Sequence, residues 1–261
     1  MIRVAVFGAL GRMGREVMSA VDADDELELA AAVDREVPPG GEEMEAGTTT
    51  VTVFPSSDDL EPSEIDVAVD FTVAAAAVQN MRWALEHGVH VVVGTTGIPA
   101  DELEALAAMA KDSEANALIA PNFTLGAVTM MRLSEIASKV FSECEIVEMH
   151  HRGKVDAPSG TALETARRIE SAMSAPDETD ATQRELPGAR GVKAGPVRIH
   201  SVRLDGYVAS QKVVFGSPGE TLTISHDTTD RACFMPGVVM AIKAINDMPG
   251  LTIGLEKVLG I

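Results

Sequence analysis

His150, His151, Arg152 and Lys154 crowd one short stretch, HHRGK, and Ser159-Gly160-Thr161 follows five residues after the lysine. Histidine is the side chain whose charge switches near neutral pH. Lysine is a compact cation with three donors. A helix starting at Gly160 and Thr161 would turn free backbone N–H groups outward, a natural seat for a carboxylate. Ser159 or Thr161 can cap that helix, and Thr161 with Glu164 has capping-box spacing. Together these residues describe a site for a small anionic substrate that must also gain or lose a proton. The plainer alternative is a capped helix beside a solvated basic turn.

Two elements must position this chemistry. The run CEIVEMHH (144–151) reads as a strand ending at the histidines, and the run after Gly160 reads as a helix. The cations are conspicuous because the chain is acidic: 40 Asp and Glu against 21 Lys and Arg, a formal net charge of -19. No lysine precedes Lys111. That charge argues against nucleic-acid binding through a basic patch and against an anionic membrane surface. A surface so charged stays dispersed in concentrated salt, where self-repulsion is screened, and suggests a protein of a salt-loving organism.

Within its 261 residues the chain has room for one large or two modest domains. Its two cysteines, Cys144 and Cys233, make no CxxC pair and read as reduced thiols of a cytoplasmic protein. The N-terminus enters a strand-like run at once and lacks signal-peptide features. No apolar run reaches the length of a membrane span. Neither HExxH nor CxxC occurs, so no catalytic metal is expected. His87 and His90 flank a turn and read as structural, and His200 and His226 sit in strands without ligand spacing. Cys144 reads as a core thiol.

The first 121 residues alternate apolar runs with helical ones. Runs 2–7, 27–33, 66–71, 89–93 and 117–120 read as strands, and 12–21, 73–87 and about 101–110 as helices. Continuous apolar strands alternating with helices indicate a doubly wound parallel sheet. After Asn122 a helix over 126–140 precedes the 144–151 strand. Segments 197–204, 207–215 and 220–226 alternate in polarity and read as antiparallel strands, and 174–196 reads as a mobile loop. A helix over 236–245 follows. The expected fold is therefore α/β: an N-terminal Rossmann-like sheet over 1–121, completed by 232–261, and a second α+β domain over 122–231 with a mixed or antiparallel sheet.

Gly8, Gly11 and Gly14 lie between the first strand and first helix in VFGALGRMGR. This is GxxGxxG rather than GxGxxG, with Leu10 where the second glycine would stand. Glycines there permit a tight turn and close approach of backbone N–H groups to a pyrophosphate. Asp34 ends the second strand at the distance where an acid takes ribose hydroxyls, and Arg35 next to it suits a 2′-phosphate. The turns Gly94-Thr95-Thr96-Gly97 and Ala120-Pro121-Asn122-Phe123-Thr124 follow strand ends, where ligands of open parallel sheets bind. A surface Asp-Arg turn would be the bland reading of the 34–35 pair.

The segments HHRGKVDAPSGTA, GALGRMGR, GTTG, APNF and RACFMPGVVMAI closely resemble the 4-hydroxy-tetrahydrodipicolinate reductase family, also called dihydrodipicolinate reductases. The likeness runs from the first strand to the last helix. It implies reduction of the cyclic product of dihydrodipicolinate synthase, a small dicarboxylate, with NADH or NADPH in lysine and diaminopimelate synthesis. It implies that His150 is the proton donor or acceptor and Lys154 a second proton donor. His151, Ser159, Gly160 and Thr161 would hold substrate carboxylates. Cofactor would lie on Gly8, Ala9, Leu10, Gly11, Arg12, Met13, Asp34, Arg35, Gly94, Thr95, Thr96, Ala120, Pro121, Asn122 and Phe123. A homotetramer joined through the second-domain sheet is implied, as are hinges near Asn122–Thr124 and Asp230–Ala232.

Two positions depart from the family pattern. Gly153 stands where a third histidine is frequent, and Ala209-Ser210-Gln211 where Gly-Glu-His is frequent. Two other readings compete: a different two-domain NAD(P)-dependent dehydrogenase, such as one like aspartate dehydrogenase, and a non-catalytic NAD-sensing protein. The 150–161 segment argues against both.

Overall fold

The computed structural model describes residues 1–174 and 180–261, which form two compact units. One unit comprises Met1–Thr124 and Phe234–Gly260, and the other Leu125–Cys233 with Ile261. In chain order the first unit holds β1 (Ile2–Phe7), α1 (Arg12–Asp22), β2 (Leu27–Val33), β3 (Glu42–Ala46), β4 (Thr49–Phe54), β5 (Val67–Asp70), α2 (Ala74–Glu86), β6 (His90–Val93), α3 (Ala100–Asp112) and β7 (Ala117–Ile119). The second unit holds α4 (Leu125–Ala137), β8 (Glu143–His150), α5 (Gly160–Ala172), β9 (Val192–Ala194), β10 (Val197–Arg203), β11 (Ala209–Ser217) and β12 (Glu220–Thr228). The chain then returns to the first unit with α6 (Met235–Ala244), β13 (Leu251–Ile253) and α7 (Glu256–Leu259).

The first unit is built on an eight-stranded sheet in the order β13-β7-β6-β5-β1-β2-β4-β3. Every neighbouring pair is parallel except the β3–β4 hairpin at one edge. β1 lies between β2 and β5, and its Val4, Ala5, Val6 and Phe7 are wholly buried, as a central strand covered on both faces must be. α1 packs through Gly14, Val17, Met18 and Val21, spaced as one helical face. Phe7 meets Trp83 of α2 edge-on at 5.9 Å. The hairpin β3–β4 and the short edge strand β13 extend the sheet beyond the strands legible in the sequence.

The second unit carries a five-stranded sheet in the order β12-β11-β8-β10-β9. Its inner face, with Ile146, Ile199, Val213 and Phe215, is fully buried, and Ile169 of α5 is buried with it. The sheet is mixed, one of the two arrangements expected. β10 runs parallel to β8, whereas β11–β12, β8–β11 and β9–β10 are antiparallel. The chain between β8 and β10 contains α5, and a crossover through a helix returns a strand in the same direction. Of the expected loop 174–196, residues 175–179 lie outside those described. Val192–Ala194 is not loop but the edge strand β9, held by β10.

Candidate active site

In the first unit the candidate site begins at the β1–α1 turn. Gly8 has φ +80°, which only glycine adopts without strain. A Cβ at Gly14 would stand 2.1 Å from the Gly8 carbonyl oxygen, so α1 approaches the turn as closely as a bare backbone allows. The first helical bond of α1 runs from Arg15 N–H to Gly11 O at 3.1 Å. The N–H groups of Arg12, Met13 and Gly14 therefore precede the ladder and lie at the positive end of the helix dipole. Gly11, at the N-cap, places no side chain over them. This bare, glycine-built cradle fits a pyrophosphate.

Asp34 braces the turn: its Oδ2 accepts from Leu10 N–H at 2.9 Å, and its Oδ1 accepts from Glu36 N–H at 3.1 Å. A cleft of about 860 Å³ opens beside it, walled by Gly8, Leu10, Gly11, Asp34, Arg35 and Asn80 among others. Ser56, Ser57 and Asp58 also line it, residues that the sequence reading passed over. Ala9 does not reach the cleft. It is wholly buried, and its N–H donates to Val33 O at 3.1 Å.

The Gly94 and Ala120 turns sit at the carboxyl ends of β6 and β7. A fully buried aspartate, Asp70 at the end of β5, organises the Gly94 turn. Its carboxylate accepts from Thr72 N–H at 2.9 Å, Thr72 Oγ1 at 2.8 Å, Asn80 Nδ2 at 2.7 Å and Thr95 Oγ1 at 3.0 Å. Gly94 lies against the Phe71 ring, where a Cβ would stand 2.1 Å from the nearest ring carbon. Phe71 in turn packs on the buried Phe123 at 5.7 Å between centroids. Ala120 is buried, Thr96 and Pro121 are exposed, and Asn122 Oδ1 accepts from Thr124 N–H at 2.8 Å.

In the second unit, β8 ends at His150. The alternation of a strand puts Glu148 and His150 on one face, and Glu148 Oε2 meets His150 Nδ1 at 2.5 Å. Glu148 is wholly buried, and Arg203 of β10 grips it with two bonds of 2.9 Å. The same guanidinium donates to Asp156 O at 2.6 Å. Burial works to raise the Glu148 pKa, but bonds from Arg203, Ser201 and His150 outweigh it and hold the carboxyl below its ordinary value. Burial pulls the His150 pKa down; Glu148 opposes that pull, while Lys154 and Arg203 add to it.

Lys154 Nζ pairs with Asp156 Oδ1 at 2.7 Å, and its backbone N–H donates to His151 O at 3.2 Å. His151 is exposed, and a Cβ at Gly153 would lie 3.2 Å from its Nδ1. The glycine that departs from the family pattern thus leaves the His151 ring its space. Ser159, not Thr161, caps α5: its Oγ accepts from Ala162 N–H at 3.2 Å. Thr161 lies inside the helix, and Glu164 pairs with Arg167 and Arg168, so the expected capping box does not form. Ser159 is buried in this role, while Gly160 is exposed at the helix start.

The remaining histidines have structural partners or packing. His87 Nδ1 bonds Trp83 O at 2.7 Å, His90 Nδ1 accepts from Asn116 N–H at 2.9 Å, and His200 Nε2 meets Glu145 Oε2 at 2.8 Å. His226 packs against Gly126. Cys144 is buried, and burial pushes its thiol pKa up to about 12. Glu148, Arg203 and Asp70 are the site-building residues the sequence reading missed. The signal for Glu148 was an acid two residues before a strand-end histidine.

A parallel sheet with a glycine-built cradle at its first turn, joined in sequence to a unit whose first strand ends at a histidine bonded to a buried carboxylate, has the layout of a nicotinamide-nucleotide oxidoreductase. Residues 2–123 match the model for the dihydrodipicolinate reductase N-terminus, and residues 126–259 that for its C-terminus. A 4-hydroxy-tetrahydrodipicolinate reductase of Cutibacterium acnes is 45% identical over 265 residues, covering 100% of both chains. One from Nocardia farcinica is 44% identical, covering 100% of this chain and 99% of its own. A dipicolinate-bound dihydrodipicolinate reductase from Paenisporosarcina sp. TG-14 superposes with a TM-score of 0.90 at 35% identity, covering 98% of this chain and 99% of that one. The chain belongs to the dihydrodipicolinate reductase family. It is an NAD(P)H-dependent enzyme that reduces 4-hydroxy-tetrahydrodipicolinate to tetrahydrodipicolinate in lysine and diaminopimelate biosynthesis.

Proposed function

We propose that His150 and Lys154 carry the proton chemistry of this reduction, and that the start of α5 holds the substrate. The observation that carries this reading is local to one segment. Within residues 150–161 a half-buried histidine, a lysine and a capped helix start follow one another, with Gly160 exposed at its tip. The N–H groups of Gly160 and Thr161 donate to one carboxylate of the dicarboxylate, and Ser159 serves by holding the helix end in place. His151 and Lys154 supply donors for the second carboxylate. The solved relative from Paenisporosarcina, with dipicolinate bound, supports a planar dicarboxylate as the ligand class.

The cradle of the first unit is our candidate for the cofactor seat. The N–H groups of Arg12, Met13 and Gly14 face the pyrophosphate, and Asp34 and Arg35 face the adenosine ribose. The Gly94-Thr95-Thr96 and Ala120–Phe123 turns line the nicotinamide end. When bound, the dihydronicotinamide supplies a hydride. His150 gives a proton to the adjacent carbon, and Lys154 neutralises the charge of the carboxylate it faces while standing as a second donor.

Steady-state kinetics with freshly made synthase product and NADH test this assignment. His150→Gln keeps size and hydrogen bonding but is no acid, so kcat falls by about 10²–10⁴-fold. Lys154→Ala lowers kcat and raises KM. Both leave NADH affinity unchanged in a direct titration. A folded His150→Gln enzyme with near-normal kcat would sink the reading.

Three broader expectations belong here. The protein assembles as a homotetramer through its second-unit sheet, to which Val202 and Leu222 contribute exposed apolar surface; sedimentation velocity reads this directly. It works in the cytoplasm, in keeping with two free cysteines. Its charge of -19 suits a salt-rich interior.

A further inference from the structure

We propose that Glu148 is the positioning residue of His150: its carboxylate accepts a hydrogen bond from Nδ1–H, fixes the tautomer, and leaves Nε2 as the nitrogen that exchanges a proton with the substrate. This rests on the reading of His150 as the proton donor. The geometry is specific. The carboxylate is wholly buried, lies two residues before His150 on the same strand face, and reaches Nδ1 at 2.5 Å. A buried carboxylate is costly unless paired and hydrogen-bonded. Arg203 supplies both needs with its two 2.9 Å bonds. One guanidinium edge also reaches Asp156 O at 2.6 Å, and Asp156 pairs with Lys154. Arg203 therefore ties the carboxylate behind His150 to the loop that carries Lys154.

The proton balance follows. In its charged form the ring holds protons on both nitrogens. Transfer from Nε2 to the substrate carbon leaves the neutral ring protonated at Nδ1 and still bonded to Glu148, and water restores the Nε2 proton. Glu148 must stay ionised throughout, which Arg203 ensures. Without the carboxylate, the charged ring would face burial and two cations, Lys154 and Arg203, the first of them paired with Asp156. Among the described residues, no other acid bonds His150. β11 offers neutral Gln211 opposite Glu148, bonded to Thr165 of α5, and His226 of β12 stands opposite Gln211.

Glu148→Gln keeps shape and an acceptor but removes the charge. A charge-assisted bond is roughly twice as strong as a neutral one, so the alkaline limb of the kcat profile should move down by about one pH unit. One unit is a tenfold change in the charged population, so kcat at neutral pH falls about tenfold and recovers in acid. KM and NADH affinity stay within about twofold. Glu148→Asp retains the charge and restores the limb even where kcat is reduced. A merely structural glutamate would lower the amount of folded enzyme or scale the whole profile without shifting its limb.

Two nuclear magnetic resonance measurements make the test independent of turnover. In the wild-type enzyme, the neutral His150 ring should carry its proton on Nδ1; a proton on Nε2 would overturn the proposal even if no Glu148 variant folds. In Glu148→Gln, the His150 titration midpoint should fall. An unmoved midpoint, or a limb that shifts equally in Glu148→Asp, would also overturn it. His150→Gln separates the two levels. If it keeps full activity, the proton-donor reading fails and this inference with it. If it loses activity while Glu148→Gln leaves the limb in place, only the role of Glu148 fails.

Discussion

Replacing Gly14 by alanine probes the cradle most sharply. The new Cβ would sit 2.1 Å from Gly8 O and 2.8 Å from both Gly8 C and Ala9 Cα, where ordinary contact begins at 3.4 Å, so α1 must retreat by about 1.3 Å. All three obstructing atoms are backbone, so no side chain can swing away to relieve the clash. Retreat is resisted because the neighbouring residues on the helix face, Val17, Met18 and Val21, are buried to within 1%. Overpacking of this kind costs about 1–3 kcal/mol, and the better helix propensity of alanine returns about 1 kcal/mol. Net stability should fall by about 0–2 kcal/mol, leaving the fold intact. The cofactor responds more. A shift of this size removes at least one backbone N–H from a phosphate, and a hydrogen bond to a charged group contributes about 1.5–3 kcal/mol. NADH affinity should weaken about 10- to 100-fold. Fluorescence titration of NADH with parallel urea unfolding measures both quantities. Gly11→Ala is the graded control, because its Cβ would lie 3.1 Å from the same oxygen and needs only a small adjustment. A Gly14→Ala protein that binds NADH within twofold of wild type would refute the pyrophosphate assignment.

Other outcomes follow from the same structure. Arg35→Ala should weaken NADPH much more than NADH in paired titrations, because only the former offers a 2′-phosphate; equal loss rejects Arg35 as its reader. Acid should destabilise the fold in two stages. Burial lowers the pKa of His90, His150 and His226, so the unfolded chain binds more protons below the ordinary histidine pKa of about 6.5. Their contribution is complete above that pH and is lost as pH falls. Carboxylates held below their ordinary values, Asp66 by Arg3 and Glu164 by Arg167 among them, add a further loss below about pH 4.5. Urea midpoints taken between pH 8 and pH 4 check this, and a midpoint that rises between pH 7 and pH 5 contradicts it. Molar potassium or sodium chloride should raise the melting temperature, because the net charge of -19 is then screened over about 3 Å; an unchanged or lower Tm counts against the idea.

Much of this protein is local, and local features are legible in sequence. The buried strands β1, β2 and β5 announce themselves as unbroken apolar runs because a parallel sheet covered on both faces demands them. The GxxGxxG turn could be placed because only glycine tolerates the φ of Gly8 and the contact at Gly14. His150, Lys154 and the start of α5 lie within one short segment, so their conjunction needed no fold to be seen. Other features depend on residues far apart in the chain. β10 runs parallel to β8 because α5 carries the chain across the sheet, and alternation in polarity carries no direction. Ser159 rather than Thr161 caps α5 because the helix begins two residues earlier than the box spacing assumes. The buried Glu148 is held ionised by Arg203, 55 residues away. Asp70 gathers Thr72, Asn80 and Thr95 from three separate segments. Sequence determined which groups could do chemistry. Tertiary structure alone decided which carboxylates are buried, what partners keep them charged, and which nitrogen of His150 meets Glu148.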